Sequence, residues 1–162
     1  LALEPEIVTV MYGTNDSYVD QGQQNSRLSA EQFYQNLTKI VTELERIGIQ
    51  SILMTEPRFG DHSANNGAGE HPNLRLEKFV DVCRRVAQET DVPLIDHFRM
   101  WTKANSEGTD IGTWTTDQCH PNVAGHKVMA DAMLPMLLKV VAHHSLDGQS
   151  DGNSGERATP VP

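Results

Sequence analysis

The sequence predicts an α/β protein, a three-layer fold with a parallel sheet between helices. Three observations carry this. Short β-branched runs at 6–12, 49–55 and 92–96 alternate with longer segments of helical period. Each run ends in a polar, turn-forming stretch. The order is β-α-β-α-β-α, and helical crossovers between successive strands imply parallel pairing with both faces covered.

The first strand is "EIVTVMY", Glu6 to Tyr12, closed by Gly13. Residues 13–28 are polar and read as a loop. A helix is expected from Ser29, because "SAEQ" is a capping box: the Ser29 hydroxyl can accept the third amide while Gln32 reaches back. Phe33, Leu37, Ile40, Val41, Leu44 and Ile47 then fall on one face, and Gly48 is a natural stop. "IQSILMT", Ile49 to Thr55, is the second strand, and 56–73 is a long loop. Leu76, Phe79, Val80, Cys83, Val86 and Ala87 mark the second helix. "VPLID", Val92 to Asp96, is the third strand, and 97–116 reads as another loop. The last helix is expected after His120, with Pro121 in its first turn, where a missing amide costs nothing. Its buried side is Val123, Val128, Met129, Ala132, Met133, Met136, Leu137, Val140 and Val141, with a kink at Pro135. The expected domain is 1–144, and 145–162, nearly free of apolar residues, reads as a disordered tail.

The 162 residues suffice for one domain with a real core. Lys+Arg 13 against Asp+Glu 22 gives a net charge of −9, which argues against nucleic acid and anionic membranes as partners. No apolar run approaches the ~20 residues that span a bilayer. The two cysteines, Cys83 and Cys119, lack CxxC spacing, so zinc and thioredoxin-type chemistry are not expected. The chain starts Leu-Ala-Leu-Glu, shows no signal peptide, and leaves its compartment undecided.

In a parallel sheet, ligands bind at the carboxyl ends of the strands. Here those ends carry "GTND", "TEPR", "DHF" and the loop to "DQCH". In "TTDQCHPNVAGH", Asp117 lies three residues before His120. A histidine base needs one nitrogen free for a proton and the other held by an acceptor, which a carboxylate on a turn can supply. An acid near a helix start and a surface histidine would give the same spacing. In "GTND", Gly13 permits a turn at positive φ, and the Asn15 amide can aim an N–H into a cleft. An Asx-type turn is the plainer account of those residues.

Taken together, a strand ending in G-x-N-D, two βα units, and D-x-x-H-P opening a last helix resemble the SGNH hydrolases, the GDSL lipase/esterase superfamily. "VMYGTND" looks like that family's block III and "DQCHPNVAGHKVMADAM" like its block V, over about Glu6 to Val141. The resemblance implies a flavodoxin-like sheet, a serine acyl-enzyme mechanism, and no cofactor or metal. By resemblance Asp117 and His120 are the acid and base of a triad. Asn15 donates to the oxyanion, Gly13 shapes the site, and Asp16 is a structural hydrogen-bonding partner.

One departure is large. The family's nucleophile lies in a block I "GDS" after its first strand, and a block II glycine follows the second. Both precede block III, where this chain has only a few residues. Ser63 in "FGDHS" follows the wrong strand, Ser17 lacks a second oxyanion donor, and Cys119 adjoins His120 too closely for a productive pair. The expectation is therefore that the first two strands are missing and that the isolated chain is inactive. The exposed first strand is expected to pair through 7–11, with a second copy or with a missing N-terminal segment.

Several other residues carry a functional and a structural option. Arg58 could meet a polar or anionic substrate group. Trp101 and Trp114 could stack on a sugar or anchor their loop. Asp61, His62, Glu70 and His71 are ligand types in one loop but share no fixed spacing, so no metal site is expected. His143 and His144 suit a helix C-terminus. Asn15 and Asn36 match glycosylation sequons formally and are not read as glycosylated. Among substrates the polar cleft loops favour short acyl esters of a carbohydrate or small molecule. The other functional class is a non-catalytic carbohydrate-binding or assembly module that keeps the fold.

Overall fold

The computed structural model describes residues 3–150, with side chains through Ala142. Strands β1 (Ile7–Met11), β2 (Gln50–Thr55) and β3 (Leu94–Asp96) form one parallel sheet in the order β1-β2-β3. Val10 faces Leu53 across the first pair, and Met54 faces Ile95 across the second. Among the described residues five helices accompany the strands: α1 (Thr14–Ser17), α2 (Ala30–Arg46), α3 (Asn73–Glu89), α4 (His97–Ser106) and α5 (Val123–Ser150).

The period-2 alternation of the strands divides the core. Val10 and Leu53 pack with Phe33, Leu37 and Val41 of α2 and with Phe79, Cys83 and Val86 of α3. Ile52, Met54 and Ile95 point the other way, against Val140 and its neighbours on α5. Helices therefore cover both faces, which is the three-layer α/β architecture.

The capping box forms as read: Ser29 Oγ accepts from Gln32 N at 3.1 Å, and Gln32 Oε1 accepts from Ser29 N at 3.0 Å. All six expected core positions of α3 are buried. On α2 only Phe33, Leu37 and Val41 are buried, while Ile40 and Ile47 are exposed. Ile40 instead borders an apolar groove of 480 Å³ along the open edge of β1, with Val8, Val10, Tyr12, Leu44 and Met54.

Four sequence expectations need correction. The segment after β3 is not a loop: Asp96 caps α4 by accepting from Arg99 N at 3.0 Å, and Phe98 and Trp101 bury one face. A 3-10 turn at Ile111–Trp114 follows. Pro121 precedes the last helix instead of opening it, bridging back to Thr115, and Asn122 Oδ1 accepts from Ala124 N and Gly125 N. The expected buried side of α5 is narrower than read, since Val123 and Val141 are exposed. The helix continues through Pro135 as far as Ser150, so 145–150 is helical where a tail is expected. The rest of that tail lies outside the described residues.

Candidate active site

The D-x-x-H turn assembles itself. Gln118 adopts a left-handed φ of 70°, which costs a non-glycine residue energy and turns the chain sharply. Asp117 Oδ1 then accepts from Cys119 N at 3.0 Å and His120 N at 2.8 Å. Its other oxygen lies 2.7 Å from His120 Nδ1. These bonds from His120, backbone first and then ring, hold the Asp117 carboxyl down at about 2. Asp117 is therefore ionised near neutrality and fixes the tautomer with Nδ1 protonated, leaving Nε2 as acceptor. The bend is buttressed from outside. Thr116 N donates to His120 O, and Asn122 Nδ2 donates to Thr113 O and Thr115 O. The Gln118 side chain fills the space over Gly60 and Gly112, where a Cβ would collide with it.

Asp117 and His120 open onto a cavity of 510 Å³ at the carboxyl ends of the strands. Asn15, Arg27, Glu56 and Ser63 line it as well. Gly13 has φ 138°, so the turn out of β1 requires glycine, and α1 follows at once with Asn15 in its first turn. Asn15 Oδ1 accepts from Arg27 Nη1 at 3.3 Å, which leaves the amide N–H groups as the free end of the carboxamide. The structure thus brings Gly13, Asn15, Asp117 and His120 to one end of the sheet. Asp16 contributes through its backbone, its carbonyl accepting from Leu28 N at 3.1 Å.

Three expected substrate contacts are placed elsewhere. Arg58 does not line the cavity; its guanidinium pairs with Asp61 at 2.6 Å. Trp101 is fully buried with Ile111 and Met129. Trp114 meets it edge-on at 5.2 Å, so the pair anchors the segment before Asp117 and offers no stacking face to this cavity. The helix α4, missed in the sequence, is what carries Trp101 inward.

The alternative nucleophiles are likewise constrained. Ser17 is buried and its hydroxyl donates to Thr14 O at 3.0 Å. Ser63 Oγ points to Ala64 O at 3.4 Å. Burial pushes the Cys119 thiol up to about 11, so the reactive thiolate is scarce near neutral pH. In the 56–73 loop, Glu70 pairs with Arg75, and His71 Nδ1 accepts from Asn73 N while Nε2 lies 3.2 Å from Gly60 O. No cluster of three metal-ligating side chains occurs among the described residues. His97, at the end of β3, is fully buried, and burial lowers its pKa.

Among the charged side chains that line the cavity, sequence reasoning missed Glu56 and Arg27. Glu56 is partly buried, and desolvation raises its carboxyl above the ordinary value, with Thr14 opposing. Its signal was its place just after β2. Arg27 gave none, being one polar residue in a polar loop.

Comparisons with known proteins bear on the family and the fold. Residues 1–128 match the GDSL-like Lipase/Acylhydrolase family. An isoamyl acetate-hydrolyzing esterase 1 homolog from Bos taurus is 22% identical over 147 residues, 85% of this chain and 58% of the relative. The lipoprotein YqeF of Bacillus subtilis is 27% identical over 161 residues, 90% of this chain and 63% of its own length. This chain therefore spans less than two thirds of these relatives. Among solved structures, a variant of Axe2, an acetylxylan esterase from Geobacillus stearothermophilus, superposes with a TM-score of 0.63 at 22% identity. That match covers 81% of this chain and 58% of the other. The acetyl xylan esterase AlAXEase gives 0.62 at 25% identity, covering 82% and 67%. With 128 residues matched and the same parallel α/β architecture, the chain belongs to the GDSL-like lipase/acylhydrolase family.

Proposed function

We propose that these residues are the acid–base and oxyanion half of a serine ester hydrolase. The Asp117–His120 pair at 2.7 Å, facing a cavity that also holds Asn15, carries the reading. His120 Nε2 takes the proton of a serine hydroxyl as it attacks the ester carbonyl. The tetrahedral oxyanion is met by the Asn15 N–H, and His120 then returns the proton to the leaving alcohol. Asp117 stays ionised and stabilises the imidazolium. We place the serine outside the described residues, because Ser17 is buried with its hydroxyl on Thr14 O, and Ser63, though it lines the cavity, follows β2 where the family's serine follows its first strand. Two further oxyanion donors, the amides of that serine and of a block II glycine, accompany it.

The substrate we infer is a short acyl ester, acetyl above all, of a carbohydrate or small alcohol. The relatives named for isoamyl acetate and acetylated xylan support this. The other reading, a non-catalytic carbohydrate-binding or assembly module, gains no stacking platform at this cavity, since Trp101 and Trp114 pack edge-on against each other, away from it. The same reading extends to the sheet edge. β1 pairs with β2 alone among the described residues, and a further strand closes it, from a preceding segment or a second copy.

The test is hydrolysis of p-nitrophenyl acetate by the natural polypeptide that carries this chain. His120→Ala and Asn15→Ala are each expected to lower kcat by about 10²-fold or more. Turnover indifferent to His120→Ala would overturn the proposal.

A further inference from the structure

An oxyanion donor made from asparagine has a weakness that backbone donors lack. The carboxamide has two ends of similar shape and opposite function, an oxygen that accepts and an NH₂ that donates. Turned the wrong way, Asn15 would present lone pairs to the developing oxyanion and repel it. Something must choose the end. α1 is only four residues long, so the helix itself gives little rigidity.

Arg27 is the group in contact with that carboxamide. Guanidinium has five N–H donors and no acceptor, so it can match only the oxygen end. Nη1 donates to Asn15 Oδ1 at 3.3 Å. Nε and Nη2 hold both oxygens of Asp20, at 2.9 and 2.6 Å, so each of the three guanidinium nitrogens makes a bond. The guanidinium carbon lies 5.4 Å from the Tyr18 ring centroid, in cation–π range. An exposed arginine normally wanders through many rotamers, and these contacts remove that freedom.

The anchor is itself fixed. Val19, next to Asp20, is fully buried, and its carbonyl accepts from Gly67 N at 2.8 Å. Any side chain at Gly67 would collide with the Asp20 carbonyl. Arg27 N donates to Tyr18 O and Leu28 N to Asp16 O, so the 18–28 loop closes back onto α1. The path from a buried valine to Asn15 therefore runs through one carboxylate and one guanidinium.

We propose that Arg27 is a positioning residue for the oxyanion hole, holding Asn15 by its oxygen so that the NH₂ faces the cavity. This rests on the reading of Asn15 as an oxyanion donor. The cation also polarises the carboxamide, which strengthens its N–H as a donor. Asp20 sets the position of Arg27 and touches no substrate.

Two measurements test this. The first uses the 162-residue chain and needs no activity. The Asn15 side-chain amide should be rigid, with an order parameter near that of ordered backbone (~0.85). It should fall below about 0.6 in Arg27→Ala. Equal values in the two proteins overturn the proposal. The second is a double-mutant cycle in the active natural polypeptide with p-nitrophenyl acetate. Arg27→Ala should lower kcat by about 10- to 10²-fold with little change in KM. On an Asn15→Ala background the same change should cost nothing. Arg27→Lys, which keeps charge without the fork, should recover part of kcat. Additive losses overturn the proposal, because they mean that Arg27 acts apart from Asn15. Should Arg27→Ala fail to fold, Asp20→Asn repeats the cycle with the arginine in place, and the same non-additivity is expected. The outcomes separate the two readings: Asn15→Ala without effect on kcat removes Asn15 from catalysis, while the amide order parameters still decide what holds it.

Discussion

At the scale of single residues, the site depends on which carboxylates keep their charge. Asp117, held down at about 2 by His120 and neighbouring amides, favours the folded state only while ionised. Its depressed value places that contribution fully above the ordinary 3.8 and removes it as pH falls toward 2. Asp117→Asn should therefore lower Tm at pH 5 and above, with the gap to the parent protein closing in acid. It should also lower kcat by about 10²- to 10⁴-fold at every pH where the fold persists. Glu56 has the opposite sign. Desolvation raises its carboxyl, so stability falls as pH climbs through the raised value. Glu56→Gln should raise Tm by a few degrees near neutral pH and change it little in acid, as differential scanning calorimetry can show. A lower Tm for the glutamine variant at pH 7 would mean that the carboxylate is favourably bonded. The Asp117–His120 pair was legible in the sequence because both partners sit on one short turn. Arg27 was not, because its partner Asn15 lies across a loop and no pattern links the two positions.

At the scale of elements, β3 and α4 share one buried carboxylate. Asp96 accepts from Thr55 Oγ1, from Arg84 Nε at 2.9 Å and from Arg99 N. Burial pushes its carboxyl up, but these bonds outweigh burial and hold it below the ordinary value. Asp96→Ala leaves Thr55 and Arg84 without that partner. The expected loss is roughly 2–3 kcal/mol in urea unfolding at neutral pH, less than the ~3–5 of a fully buried pair because Arg99 is exposed. A loss under about 0.5 kcal/mol would show that α4 docks by apolar contacts alone. The same residue explains why α4 escaped the sequence reading: Asp96 ends a strand and caps a helix at once, so no loop separates them. The capping box at Ser29 and the stripe on α3 were legible because each is set by contacts along one helix. The width of the buried stripe on α2 was not, since Ile40 borders the groove along the open edge of β1. That edge makes a prediction of its own. Amides of Ile7–Met11 should gain hydrogen-exchange protection when the chain associates, and light scattering should show a species larger than monomer. A monomer with those amides freely exchanging would exclude pairing with a second copy.

At the scale of the whole molecule, the order of elements along the chain separates the chemistry. The fold class followed from strand and helix periodicity alone, because layers are fixed by where apolar residues fall. A nucleophile from outside these residues could be argued only from the family's chain order, and the structure adds that the Ser17 hydroxyl is buried on Thr14 O. The 162-residue chain should therefore hydrolyse p-nitrophenyl acetate no faster than its His120→Ala variant. Rapid turnover abolished by Ser63→Ala would reverse this. The bend that carries Asp117 and His120 also bears on the loops around it. Its polar bonds run mostly within residues 113–122, through Asp117, Thr116 and Asn122, with one tie to the 56–73 loop, where Gly60 N donates to Gln118 O at 2.8 Å. Loops that do not touch this bend can lengthen, shorten or change sequence without moving the Asp117–His120 pair, whereas a change at Gly60 reaches it through Gln118.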